Sequence, residues 1–265
     1  MTQAHAPLIA VDVGNSRVKL GRFDEVQSAP GRLPNPSAAL DLGPEPAQFA
    51  GISAWLGDRA ADDFRWYIGS VQRAVSSTLI DWLRAQGAGQ ITLLASFDLP
   101  LRATLPRPDM VGIDRLLGAV AVNHIREPGS PAIVVDLGTA ITVDLVAADG
   151  GFAGGAILPG IGLSSRALHE FTDLLPQLDM QALAEPPAAL GTDTIAAMRA
   201  GIYWGAVGGV RQLIELLGRQ LAGPPQIFLT GGAAPAVAHL IAAEAQYQAH
   251  LVLSGIALAA AGTRS

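Results

Sequence analysis

Leu8 to Lys19 reads LIAVDVGNSRVK, and Ile133 to Asp144 reads IVVDLGTAITVD. Each stretch is an apolar run ending in an aspartate, then one apolar residue, a glycine and small residues. A second apolar run follows in both: Val18, Leu20 and Phe23 after the first, Val143, Leu145 and Val146 after the second. Asp12 and Asp136 stand nearly half of the 265-residue chain apart, so the pattern predicts a duplicated unit.

An apolar run without alternation predicts a buried strand. Gly14 and Gly138 let the backbone turn sharply and approach a ligand, because no Cβ intrudes. Asn15, Ser16 and Thr139 offer amides and hydroxyls to anionic oxygens. Asp12 and Asp136, at strand ends, can hold a divalent cation directly or through water. Two facing hairpins of this kind would grip the phosphates of a nucleotide and its metal. One such hairpin alone reads more simply as a tight turn with a capping aspartate. The second copy tips the reading towards a ligand site.

Composition narrows the class. The length suits two small fused domains, and 50% apolar residues with a mean hydropathy of +0.35 supply a substantial core. With no cysteine, disulfides and thiolate metal sites are excluded. A net charge of −6 argues against a nucleic-acid partner. Residues 1–11 lack the basic start of a signal peptide, and the apolar stretch 251–261 is too short to span a bilayer. The expectation is a globular, cytoplasmic protein with no membrane partner. Lys19 is the only lysine among 17 lysines and arginines. A compact point charge just past the first glycine loop suits a phosphate, chance placement being the alternative.

Residues 24–50, rich in proline, glycine and alanine, predict an irregular connection with room for a short strand. Strands are predicted at 64–71 and 91–95, and helices at 75–86 and 109–126. The Glu127–Pro131 stretch (EPGSP) breaks the chain, and the domain junction is placed there. After the second hairpin, glycines at 154, 155, 160 and 162 delay any helix until about Leu163. A long helix is expected from 191–194 to about Leu221, with Thr192 or Asp193 as its cap. A strand at 227–230 then delivers Gly231-Gly232, and a helix follows from about Pro235. Both halves read as α/β.

The P-loop, dinucleotide, H-E-x-x-H and G-x-S-x-G signatures are absent. The five histidines are scattered, and His5, His124, His169, His239 and His250 read as surface or core residues. What remains resembles the actin, sugar-kinase and Hsp70-like ATPase superfamily. There, two ribonuclease H-like domains supply two phosphate loops, and a Gly-Gly turn after a late strand borders the adenosine. Leu229–Ala233 (LTGGA) stands in that third place.

Within the superfamily the chain resembles the type III pantothenate kinases. The motifs are D-x-G-N-[ST]-x-x-K at Asp12–Lys19, Ser70-Val71 after a strand, and G-x-D-R at Gly112–Arg115. They continue with D-x-G-T-A-x-T-x-D at Asp136–Asp144, G-G-x-I-x-P-G at Gly154–Gly160, G-x-x-T at Gly191–Thr194 and T-G-G at Thr230–Gly232. The resemblance implies two duplicated ribonuclease H-like domains, residues 1–127 and 128–265, with the active site in the cleft between them. It implies ATP-dependent phosphorylation of pantothenate to 4′-phosphopantothenate, the first step towards coenzyme A.

It also assigns roles. Asp12, Val13, Gly14, Asn15, Ser16, Arg17, Val18 and Lys19 would form the first phosphate loop, with Asp12 organising Mg²⁺. Thr139, Gly231 and Gly232 would also contact ATP, and Asp136 would bind a monovalent cation, K⁺ or ammonium. Gly112, Ile113, Asp114, Arg115 and Thr194 would line the pantothenate pocket, with Asp114 as catalytic base. Asp114 lies early in a predicted helix after a glycine, beside the guanidinium fork of Arg115. Without the other motifs it would read as a helix-end charge favoured by the dipole.

The resemblance further implies a homodimer with the pocket at or near the subunit interface. The apolar, glycine-dotted stretch 198–217 suits either a two-fold helix contact or burial within its own domain. One position departs from the pattern. Leu105 stands where members often carry a tyrosine lining the pocket. That keeps two alternatives open: a non-catalytic nucleotide-binding regulatory homologue, and a superfamily kinase acting on another small alcohol or a sugar.

Overall fold

Both apolar runs form the middle strand of a five-stranded sheet in a computed structural model, which describes residues 6–26, 31–178 and 185–262. The first sheet uses β1 (Leu8–Val13), β2 (Val18–Phe23) and β3 (Ala38–Leu42). Helix α1 (Ala50–Leu56) leads to β4 (Arg65–Ser70), α2 (Arg73–Ala85), β5 (Gln90–Leu93) and α3 (Ile113–Ile125). The second sheet uses β6 (Ala132–Leu137), β7 (Ala140–Val146) and β8 (Phe152–Pro159). Then come α4 (Ile161–Glu170), α5 (Thr194–Gly218), β9 (Gln226–Thr230), α6 (Ala234–Ile241), β10 (Gln246–Tyr247) and α7 (Leu251–Gly262).

The strand orders are β3-β2-β1-β4-β5 and β8-β7-β6-β9-β10. In each sheet the first three strands run antiparallel and the last two join parallel to the middle strand. The duplication seen in two hairpins therefore extends to the whole of both sheets.

In the first unit, Ile9, Val11, Val13, Val18, Leu20, Trp66 and Ile68 form one sheet face. They pack on Phe49, on Ile52 of α1, and on Leu79 and Leu83 of α2. Helices α3 and α7 cover the opposite face. Burial on both sides explains why β1 reads as an unbroken apolar run. In the second unit Ile133, Val135, Ile141, Val143 and Leu229 pack on Tyr203, Val207 and Val210 of α5 and on Val237 and Ile241 of α6.

The chain divides into two compact units, one drawn from residues up to Glu127 together with those from His250 onward, the other Pro128–Ala249. The expected second domain, 128–265, thus differs at its end, because α7 groups with the first unit. This helix is apolar all round and nearly all of it is buried, so it needs cover on every side. It finds that cover on β1, β2, β4 and α3. At the crossing, a Cβ on Gly255 would overlap the Leu117 carbonyl of α3. The Ser254 hydroxyl donates to the Pro34 carbonyl at 2.8 Å.

Three further differences have local causes. The helix expected from 109 begins at Ile113, because a 3-10 turn at Pro108–Met110 intervenes and Gly112 is the N-cap. The glycine-rich stretch after 150 is the edge strand β8. Gly155 lies opposite Asp144, whose carboxylate and the neighbouring Val143 carbonyl fill the space a Cβ would take. The short helix α1 follows the proline-rich connection. Among the described residues no helix is long and apolar enough to cross a membrane.

Two alanine substitutions separate crowding from helix propensity. Gly255→Ala should lower stability by about 1–3 kcal/mol, because backbone blocks the new methyl. Gly162→Ala, in the first turn of α4 with nothing within 4 Å of the added Cβ, should raise it by up to about 1 kcal/mol. Urea midpoints of both variants check this, and a neutral Gly255→Ala would contradict the close crossing.

Candidate active site

Strand β1 ends at Val13 and β2 begins at Val18, and the Gly14 N–H donates to the Arg17 carbonyl at 2.9 Å to close the turn. Asn15 and Arg17 are exposed on this open loop. Asp12 faces the side of the sheet opposite Val13. Its register partners are Lys19 on β2 and Gly69 on β4, and Lys19 in turn faces Asp41 on β3. The row Asp41–Lys19–Asp12–Gly69 thus crosses four strands. Directly opposed side chains in such a row have Cβ atoms about 5 Å apart. The Arg17 guanidinium lies 3.4 Å from the Asp41 carboxylate, but both are half exposed, so the pair is worth at most about 1 kcal/mol. Among the described residues the Lys19 ammonium has no ion-pair partner.

The second loop is built on the same plan with different chemistry. The Gly138 N–H donates to the Ala140 carbonyl at 3.2 Å. Gly160, the N-cap of α4 just past β8, supports this loop: its N–H donates to the Thr139 carbonyl at 3.0 Å, and a Cβ would overlap the Gly138 and Thr139 carbonyls. Gly231 has φ +95° and lies so close to Asp136 that a Cβ would stand 2.5 Å from its Oδ1. Only glycine fits both the conformation and the space. The row through Asp136 reads Ile157–Thr142–Asp136–Thr230. Where Asp12 has a lysine beside it, Asp136 has two threonines.

Asp114 sits in the first turn of α3 behind the Gly112 N-cap. A Cβ on Gly112 would lie 3.5 Å from Val71 Cγ1, and the Val71 N–H donates to the Val13 carbonyl at 3.1 Å. Gly112, Ile113, Asp114 and Arg115 therefore stand at the same end of the first sheet as the Asp12 loop. Burial pushes the Asp114 carboxyl above its ordinary value, and the Arg115 N–H, which donates to its Oδ1 at 2.8 Å, and the Arg115 charge only partly oppose this. Leu105 is half-buried in the segment before α3.

Thr194 belongs to the second unit, at the exposed start of α5, where the Asp193 carboxylate caps the helix by accepting from the Ala196 N–H at 2.8 Å. It borders a cavity of about 850 Å³ between α4 and α5, lined mainly by apolar residues such as Pro159, Leu168, Phe171 and Met198. The expected substrate residues thus divide between the units.

Among the described residues no group of three or more histidine or carboxylate side chains gathers as a metal cage. Mg²⁺ bound with a nucleotide does not need one, since it keeps waters and phosphate oxygens and takes only one or two carboxylates. Asp12 beside an open loop fits that demand. Asp136 between two hydroxyls fits a weakly held monovalent ion. Thr142 and Thr230 belong to the quoted motifs, but their place beside Asp136 depends on strand register and is not read from sequence.

Residues 8–216 match the model of the family described as type III pantothenate kinase. The chain belongs to that family. Among its curated members, the type III pantothenate kinase of Phenylobacterium zucineum (strain HLK1) is 40% identical over 162 residues, 61% of this chain and 60% of that one. The type III pantothenate kinase of Acidiphilium cryptum (strain JF-5) is 39% identical over 166 residues, 63% of this chain and 60% of that one. The chain spans about 60% of the length of the curated relatives it matches.

Solved structures widen the frame to the fold. A ROK family glucokinase from Streptomyces griseus, in complex with glucose and AMPPNP, superposes with a TM-score of 0.51 at 13% identity. That match covers 95% of this chain and 98% of the other. The activator of the 2-hydroxyisocaproyl-CoA dehydratase from Clostridium difficile, with bound ADPNP, gives 0.51 at 13% identity over 95% and 93%. The type III pantothenate kinase family member described here thus has the α/β fold of actin-like ATPases and sugar kinases, built from duplicated domains.

The environment of Asp114 has a consequence for stability. Its pKa is higher folded than unfolded, so its contribution to stability is present at acid pH and is lost as pH rises through the folded value. Asp114→Asn cannot ionise. It should melt at a higher temperature than the wild type at about pH 8, and the gain should vanish near about pH 4. An equal or lower melting temperature at the higher pH would contradict the burial of this carboxylate.

Proposed function

We propose that this protein transfers the γ-phosphoryl group of ATP to the primary hydroxyl of pantothenate, in the cytoplasm, giving 4′-phosphopantothenate and ADP. The observation that carries the proposal is the match over residues 8–216, which includes both aspartate–glycine hairpins and the Gly112–Arg115 segment. Asp114, made more basic by burial, suits a base that orients the hydroxyl and accepts its proton. Phosphoryl transfer passes through a loose transition state, so positioning and charge do most of the catalysis. Amides of the Gly14–Lys19 loop and the compact charge of Lys19 would position the phosphates, with Gly231-Gly232 beside the adenosine and Thr139 on ATP. Ile113, Arg115 and Thr194 would contact pantothenate. Asp12 would hold Mg²⁺ and Asp136 a monovalent cation, K⁺ or ammonium, which together offset phosphate charge.

We further propose that the protein works as a two-fold homodimer. Ile202, Tyr203, Val207 and Val210 of α5 are used inside their own unit. The exposed Gly201, Gly205 and Gly208 leave a side of the helix that a second helix could approach closely.

Purified protein given ATP, Mg²⁺, K⁺ and pantothenate should release 4′-phosphopantothenate and ADP in equal amounts. Folded protein that makes no product would sink the proposal. Asp114→Asn should lose on the order of 10²–10⁴ in turnover. Turnover within about threefold of wild type would remove Asp114 as the base.

Asp136→Ala should abolish activation by K⁺, since the hydroxyls of Thr142 and Thr230 alone carry no charge to hold the ion. A K⁺ titration that retraces the wild-type curve would show that the cation sits elsewhere.

A further inference from the structure

Arg17 closes the first loop with its backbone, its carbonyl accepting from the Gly14 N–H, and this leaves the guanidinium to choose its own direction. It turns to Asp41, 3.4 Å away. Among the described residues each is the other's one ion-pair partner. The direction matters because β2 lies between β1 and β3. Asp41 on β3 therefore draws the guanidinium to the side of the hairpin away from Asp12 on β1. The same carboxylate lies directly opposite Lys19 in the strand register. One acidic residue outside the recognised motifs thus stands beside both cations of the Asp12–Lys19 segment.

Folding gives Asp41 little reason to be there. Strand β3 alternates, and Leu40 and Leu42 pack against the core of the first unit while Asp41 is exposed on the other face. An exposed pair holds weakly, so Asp41 can restrain Arg17 only by a few-fold. A polyphosphate offers several charged oxygens that match the guanidinium fork, and it outcompetes a single solvated carboxylate. No proton moves in the exchange. The guanidinium passes from the carboxylate to phosphate oxygens, and Asp41 is answered by water, to which about half of its side chain is already open.

We propose that Asp41 is a positioning residue of the first phosphate loop, which parks the Arg17 guanidinium on the β3 side until a nucleotide polyphosphate takes it. The inference rests on the reading that Asp12–Lys19 holds the phosphates of ATP. Part of what Arg17 gains from phosphate is then used to break its pair with Asp41, so the loop holds ADP less tightly and releases it sooner than a loop with a free arginine.

The test is equilibrium binding of ADP with Mg²⁺ to the whole protein at about 0.15 M ionic strength, where the field of a distant exposed charge is screened. Asp41→Asn should bind ADP about two- to fivefold more tightly than the wild type. Asp41→Glu, which keeps the charge, should stay close to the wild type, and Arg17→Gln should bind more weakly. In the Arg17→Gln background, Asp41→Asn should leave affinity unchanged, because the carboxylate acts through the guanidinium. The same gain with Arg17 absent would mean plain repulsion between Asp41 and phosphate. A lower melting temperature of Asp41→Asn with no gain in affinity would mean a structural role alone. Either result overturns the proposal. The wild type gives a second reading through the Arg17 Nε–H NMR signal, identified by its loss from Arg17→Gln. Mg²⁺ and ADP should shift it, and adenosine, which has no phosphate, should leave it in place. A signal unmoved by bound ADP overturns the proposal and leaves the kinase reading standing. Failure of Mg²⁺ and ADP to bind the wild type at all overturns both.

Discussion

A carboxylate at the end of a strand buried on both faces can be solvated in one direction only, out past the strand end and into the loop that follows. Asp12 and Asp136 are held in that position by β1 and β6, whose preceding residues are buried almost without exception. Charge cannot retreat into an apolar sheet, so whatever answers it must come from the loop, the neighbouring strands or a bound ion. The two glycines after the aspartates, the antiparallel return strands and the parallel strands β4 and β9 all follow from placing those ends where a ligand can reach them. This is the general habit of open α/β sheets, which bind ligands beyond the carboxyl ends of their strands.

The duplicated scaffold then carries two chemistries. Beside Asp12 stands Lys19, and beside Asp136 stands Thr142; beside Asp12 on the other side is Gly69, and beside Asp136 is Thr230. A lysine supplies a charge for phosphate, whereas hydroxyls are ligands for cations. The second loop is also more tightly supported, with Gly160 and Gly231 pressed against it. The first is more open, with Asn15 and Arg17 exposed. Duplication preserved the geometry and let the side chains around the two aspartates diverge.

The hairpins and central strands were legible because burial on both faces leaves a short apolar run, here closed by an aspartate–glycine turn and repeated in the second half. Helices α2 and α5 were legible from periodicity and from Asp193 as a cap. The edge strand β8 was not. Its glycines serve the close approach of Asp144 and of the second loop, and this removes the side chains that mark a strand. Helix α7 was visible as apolar but not as a partner of the first unit. A helix buried all round reveals its need for cover and nothing about where the cover lies. The motif residues of the site, Thr142 and Thr230 among them, could be named from sequence, while the place of those threonines beside Asp136, and of Asp41 beside Lys19, could not. These neighbours arise from cross-strand register.

The central claim is that the two aspartate loops divide the work, Asp12–Lys19 taking phosphate and Asp136 taking the monovalent cation. A crystal structure with AMPPNP and Mg²⁺, grown with Tl⁺ in place of K⁺, tests it by anomalous scattering. The account predicts a Tl⁺ peak at Asp136 within reach of the Thr142 and Thr230 hydroxyls, and phosphate oxygens on the amides of the Gly14–Lys19 loop. A Tl⁺ peak at Asp12, or phosphates that leave Lys19 untouched, would contradict it.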